Sequence, residues 1–170
     1  MKTKYLLILL ITMFFVNCNK EEEIAVLGNI THADIYYTDE AGNDLLDTTN
    51  INLEKYIDVK NIETKYLIDG KEEDIYFDGY IISRWPLRYR EDINRYVVSI
   101  CCYIPESEKD FENEIYINIL VKISSSETDT LIFRNERLGT GIIAKNIWYN
   151  SILKYDNYDN AQDPVFEVIK

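Results

Sequence analysis

The chain of 170 residues is short of several residue types, and each shortage narrows what it can do. It holds one histidine, His32, and three cysteines, Cys18, Cys101 and Cys102, too few for a multi-ligand zinc centre or a histidine-based triad. Only three prolines and six glycines are present, which excludes a collagenous or low-complexity chain. Basic residues are also scarce: 18 Lys and Arg stand against 30 Asp and Glu, a net charge of −12. A phosphate backbone would be repelled by that balance and no basic patch interrupts it, so a nucleic-acid partner is excluded. No apolar run approaches the ~20 residues of a spanning helix. What remains, 46% hydrophobic and 13% aromatic, is the composition of one globular domain.

The N-terminus departs from this pattern. Lys2 and Lys4 precede an apolar run from Tyr5, which ends at Asn17-Cys18 and turns polar through Asn19-Lys20-Glu21-Glu22-Glu23. A basic start, an apolar centre and an abrupt polar stop describe a signal peptide over residues 1–17. Val16-Asn17-Cys18 resembles the lipobox of bacterial lipoproteins, in which the cysteine becomes the lipidated first residue, although Asn17 stands where a small residue is usual. The looseness is similar to that of Bacteroidetes lipoproteins, and Lys20-Glu21-Glu22 resembles their export signal to the outer leaflet. The resemblance implies lipidation at Cys18 and an outer-membrane, cell-surface location. Several acyl chains together would make the anchor durable. Loss of residues 1–17 leaves 16 basic and 30 acidic residues, a mature charge of −14.

Residues 18–29 show no periodicity and read as an acidic tether. From residue 30 to 170, apolar residues fall into short Ile-, Val-, Tyr- and Phe-rich runs separated by Asp, Asn, Gly and Ser, the pattern of strands and turns. A first reversal is expected at Asp39–Asn43, with strands over 33–38 and 44–46, then strands at 56–60, 65–68, 75–77 and 80–84. Trp85-Pro86 stops that series, and a polar connector containing Arg88 and Arg90 leads to a strand over 96–104. Ile115, Ile117, Ile119, Val121 and Ile123 alternate onto one face over 114–123, the clearest period-two segment. Strands at 130–133, 142–144, 147–149, 152–155 and 165–169 complete the series. The expectation is an all-β fold, a single sandwich of about seven to nine antiparallel strands.

Few residues suggest chemistry. Cys101 and Cys102 are adjacent and point to opposite faces when extended, so reduced thiols are expected. Asp39, Asn43, Asp44 and Asp47, and more densely Asp156, Asn157, Asp159, Asn160 and Asp163, offer oxygens suited to calcium without matching an EF-hand, and read as solvated turns. Gly139-Thr140-Gly141 lacks the context of a phosphate loop. His32 has no nucleophile motif beside it. Asp47-Thr48-Thr49 and Asp129-Thr130-Leu131 look like an O-glycosylation sequon of exported Bacteroidetes proteins. No catalytic residue, metal site or cofactor is assigned.

Fourteen tyrosines exceed what a core of this size requires. Trp85, Tyr89, Trp148, Tyr149, Tyr155 and Tyr158 combine apolar faces with polar tips and are candidates to stack on a sugar or fill a partner's pocket. Asp34-Ile35-Tyr36-Tyr37, Gly42-Asn43-Asp44-Leu45-Leu46, Tyr66-Leu67-Ile68-Asp69-Gly70-Lys71 and Trp148-Tyr149-Asn150 together resemble small uncharacterised Bacteroidetes lipoproteins with an immunoglobulin-like sandwich. The expected function is a non-enzymatic surface domain that binds or scaffolds a glycan or a protein. A polysaccharide hydrolase using an acidic pair, and a purely structural envelope subunit, are the alternatives.

Overall fold

A computed structural model describes residues 30–50, 55–77, 79–82, 85–139, 141–157 and 163–170. The expected leader and tether lie outside these residues. Twelve strands occur among those described: β1 (Ile30–Thr38), β2 (Glu63–Ile68), β3 (Lys71–Glu73), β4 (Tyr76–Phe77), β5 (Tyr80–Ile81), β6 (Leu87–Arg90), β7 (Arg95–Tyr103), β8 (Glu114–Lys122), β9 (Thr128–Leu138), β10 (Gly141–Tyr149), β11 (Ile152–Asp156) and β12 (Val165–Ile169). Ten of them form two sheets, ordered β12-β1-β7-β6 and β11-β10-β9-β8-β2-β3, and β4 and β5 pair only with each other. The fold is an all-β sandwich.

The tight reversals follow local chemistry. Asp69 (φ 49°) and Gly70 (φ 75°) turn β2 into β3, and Asn150 (φ 49°) with Ser151 (φ 67°) turns β10 into β11. Two successive positive φ values match the twist of the strands they join. In β8 the side chains of Ile115, Ile117, Ile119 and Val121 are buried while Glu114 and Tyr116 are exposed, as the alternation requires.

The core lies between the two sheets. Ala33, Ile35, Tyr37, Val98, Ile100 and Cys102 from the smaller sheet meet Ile117, Ile119, Leu131, Phe133, Ile147 and Tyr149 from the larger. Each fully buried aliphatic or aromatic side chain contributes about 1.5–3 kcal/mol of transfer free energy. Polar bonds cross the interior as well: Thr31 Oγ1 donates to Asn135 Oδ1 at 3.0 Å, and the Tyr37 and Tyr149 hydroxyls lie 3.1 Å apart. Every buried side-chain nitrogen and oxygen among the described residues has a partner.

Four features differ from the sequence reading. Strand number rises to twelve partly because Leu87–Arg90, read as a polar connector, is an edge strand. Its arginines alternate onto the outer face of the small sheet, where Arg88 and Arg90 bind Asp34. Residues 56–60 contain no strand; Asp58 caps a 3₁₀ turn at Val59–Asn61 by accepting from the Lys60 amide. The segments 142–144 and 147–149 are one strand, continuous through an irregularity between Ala144 and Asn146. Pairing is also not wholly antiparallel, because β12 runs parallel to β1, with Asp34 opposite Val165 and Thr38 opposite Ile169.

Candidate ligand-binding face

The outer face of the six-stranded sheet is built by strand parity. In β8, Tyr116, Asn118 and Leu120 point away from the core; in β9, Ile132 and Arg134 do so; in β10, Trp148 does so while its neighbours Ile147 and Tyr149 are buried. The ladder aligns Asn118 with Ile132 and Ile132 with Trp148, and β11 adds Leu153 opposite Trp148. One row across four strands is therefore largely apolar. The next row is polar, running from Tyr116 through Arg134 and Asn146 to Asp156.

The two rows meet at a pair of rings. Tyr116, 52% exposed, stacks with half-buried Trp148, with centroids 6.2 Å apart and planes inclined by 28°. Because the two residues sit on strands separated by β9, their rings close over the sheet instead of standing as separate bumps. The polar row is held rigid. Arg134 Nε donates to Glu114 Oε2 at 2.7 Å and its Nη1 to Asn146 Oδ1 at 3.0 Å, and Asn146 Nδ2 donates to Asp156 Oδ1 at 2.9 Å. The hydrogen bond to Glu114 raises the Arg134 pKa, so its charge is permanent. Chemically, the face offers a broad apolar contact beside a fixed line of donors and acceptors.

Other aromatic candidates divide between surface and interior. Trp85 is buried; its Nε1 donates to Thr64 Oγ1 at 2.8 Å and its ring stacks on Tyr103 at 6.4 Å. Tyr149 is buried too, donating to Asp129 Oδ2 at 2.6 Å. Both were expected to offer their rings to a ligand, and both are core residues instead: the opposite sheet covers the side of β10 that Tyr149 occupies, and Trp85, in the connection between β5 and β6, is drawn in by Thr64 and Tyr103. Tyr155 is half-buried, and Tyr89, 48% exposed, packs edge-on against Tyr96. Tyr158 and Cys18 lie outside the described residues. Tyr116 was missed by sequence reasoning, having been counted only as the solvent side of an alternating strand; a tyrosine in the outward register of that strand was the available signal.

The candidate acidic loops are occupied by their own chain. Asp39 accepts from the amides of Ala41 and Asn43 and from Asn43 Nδ2, and Asp44 accepts from the amides of Leu46 and Tyr96. Asp47 binds the amide and hydroxyl of Thr49. In the later loop, Asn157 Nδ2 donates to the Ala144 carbonyl, Asp163 is exposed, and Asp159 and Asn160 fall outside the described residues. No group of three or more His, Cys, Asp or Glu able to hold a metal occurs among the described residues. His32 is half-buried on β1 opposite Cys101. Gly139 (φ 61°) lies in the β9–β10 turn, and Thr140 is outside the described residues. Thr48 is exposed and Thr130 half-buried, its hydroxyl on Asn150. Cys101 and Cys102 are free thiols; burial raises both, Cys102 to about 12.

Asp34 and Asp129 carry charge into the molecule. Burial alone would raise Asp34, but hydrogen bonds from Ser99, Arg90 and Arg88 outweigh it and hold the carboxyl below its ordinary value. Asp129 is also lowered: against desolvation stand Asn150, Lys170 and Tyr149. Lys170 Nζ bonds both Asp129 and, at 2.6 Å, Glu127. An open groove of about 1470 Å³ lies beside this cluster, with four lysines and four carboxylates along its walls. Its charges cancel in part through direct pairs such as Lys122–Glu72 at 2.7 Å. Neither carboxylate is poised as an acid, since each is stabilised in the ionised form.

Comparison with known proteins returned no matching family model, curated protein or solved structure.

Proposed function

We propose that the chain is a lipid-anchored envelope protein whose sandwich binds a glycan, without catalysis, across the Trp148–Tyr116 face. The observation that carries this reading is the stacked ring pair on an open sheet beside a rigid polar row. A sugar ring presents an apolar C–H face with hydroxyls around its rim; the rings match the first and Arg134, Asn146 and Asn118 the second. Asp34 and Asp129 favour binding over hydrolysis, because a general acid must hold a proton at working pH and both of these buried groups are shifted the other way. The anchor rests on Cys18 and the leader before it, and places the domain at the outer membrane facing outward.

Affinity electrophoresis against a panel of polysaccharides, followed by calorimetry with whichever retards the protein, tests the site. Trp148→Ala or Tyr116→Ala should each weaken binding by about 2 kcal/mol, roughly thirtyfold. Trp85→Ala disturbs the core and serves as a stability control. A panel with no retardation, or binding untouched by both ring substitutions, would remove the glycan reading. Metabolic lipid labelling that persists in Cys18→Ala would remove the anchor.

A further inference from the structure

We propose that the β4–β5 hairpin is a membrane contact of the domain, seating its tyrosines in the interface of the bilayer to which the chain is anchored. The inference rests on the anchored reading above. Tyr76, Tyr80 and Ile81 are 56%, 73% and 53% exposed, and Tyr80 is the most exposed large apolar side chain among the described residues. The hairpin belongs to neither main sheet: Tyr76 pairs with Ile81 and Phe77 with Tyr80, and Ile82 N donates to Ile75 O at 2.7 Å. Its roots are fixed, because Ile75 is fully buried and Trp85 nearly so. An isolated two-stranded hairpin is marginal in water, and a second surface against its apolar side chains supplies what it lacks.

Sequence and position select the bilayer as that surface. Residues 75–82, Ile-Tyr-Phe-Asp-Gly-Tyr-Ile-Ile, contain one charge in a chain that is 28% charged. Tyrosine suits the headgroup boundary, where the ring is desolvated and the hydroxyl stays wet. The buried tryptophan that follows the hairpin packs where the described chain begins. Trp85, four residues beyond β5, stacks on Tyr103, and Tyr103 is the ladder partner of Ile30, the first described residue. Only residues 19–29 separate Ile30 from Cys18, at most about 40 Å of chain when fully extended. Thr38, at the opposite end of β1, lies about 27 Å from Ile30. A second copy of the chain is disfavoured as the occupant by the mature net charge of −14, which repels like molecules and also directs the contact toward zwitterionic lipid.

The test uses the full chain, purified with its acyl groups and reconstituted in phosphatidylcholine vesicles made with or without brominated acyl chains. Tyr80→Trp places a fluorophore on the hairpin and Leu153→Trp places one on the outer sheet face; subtracting the parent's emission isolates each. The expected result is that bromine quenches at least half of the emission added at position 80 and leaves that at position 153 unchanged. Equal quenching at both positions, or none at position 80, overturns the membrane contact while leaving the anchor intact. An unquenched position 80 in a chain that sediments as a dimer reassigns the hairpin to a second copy and likewise overturns it. Intact mass separates the two readings: a chain without acyl groups ends the anchor and this inference together, whereas an acylated chain with an unquenched hairpin ends this inference alone.

Discussion

Asp129 occupies a demanding position at the scale of single residues. It is buried yet ionised, accepting from Tyr149 Oη at 2.6 Å, from Asn150 Nδ2 at 2.6 Å and from Lys170 Nζ. Removing it takes the buried acceptor from the Tyr149 hydroxyl, leaving it only the Tyr37 hydroxyl, and leaves the Lys170 ammonium only Glu127. Asp129→Ala is therefore expected to cost about 2–4 kcal/mol, read as a lowered urea midpoint. Glu127 bonds the same lysine but is half exposed, so Glu127→Ala should cost less than about 1 kcal/mol. Equal losses in the two variants would show that burial does not set the value of these pairs. Lys170 also ties the chain terminus to both sheets, since its amide donates to the Thr38 carbonyl at 2.8 Å.

Turns and irregularities decide the outcome at the scale of elements. Asn150 and Ser151 both adopt positive φ in the β10–β11 reversal, a conformation that asparagine tolerates and serine resists. Ser151→Gly should raise stability by about 0.5–1 kcal/mol, seen as a higher thermal midpoint with unchanged strand content by circular dichroism. A lower midpoint would mean that the serine contributes something beyond its backbone. The strand before this turn shows why local reading stops short. Ile142–Ala144 and Ile147–Tyr149 look like separate strands because their apolar pattern changes phase between them. The pairing shift between Ala144 and Asn146 changes that phase within one strand. A similar limit applied to Leu87–Arg90. Two arginines in four residues read as a solvated connector, and only the presence of Asp34 across the ladder makes them part of a sheet.

The pattern of buried ionisable groups gives the whole molecule a bounded pH range. Asp34 and Asp129 have folded pKa values below their ordinary 3.8, so their stabilisation is fully present above that value and is lost as pH falls through the folded values. Tyr37, Tyr66 and Tyr149 are raised above 10.0 by burial, and Cys102 is raised from 9.0 to about 12. Their contribution is present below the unfolded values and declines as pH rises past them. Urea midpoints should therefore be flat from about pH 5 to 8, falling below about pH 4 and again above about pH 9. Asp129→Asn should blunt the acid limb specifically; an acid limb identical to the parent's would assign acid unfolding to general charge repulsion.

The all-β class, the position of most turns and the alternation of β8 were legible in the sequence because each depends on neighbours a few residues away. Period-two spacing and Asn and Gly at positive φ are local facts. The aromatic face was legible only in part. Trp148 and Tyr149 are adjacent and must point to opposite faces, but nothing local says which face meets the other sheet. Packing against Tyr37 and Phe166 draws Tyr149 inward and leaves Trp148 outside, where Tyr116 from two strands away closes over it. Trp85 was taken inward by Thr64 and Tyr103, both distant in sequence. The amino-acid order by itself determined the strands and their two faces; the tertiary structure decided which face became core and which became surface, because that choice depends on apolar area shared between residues far apart in the chain.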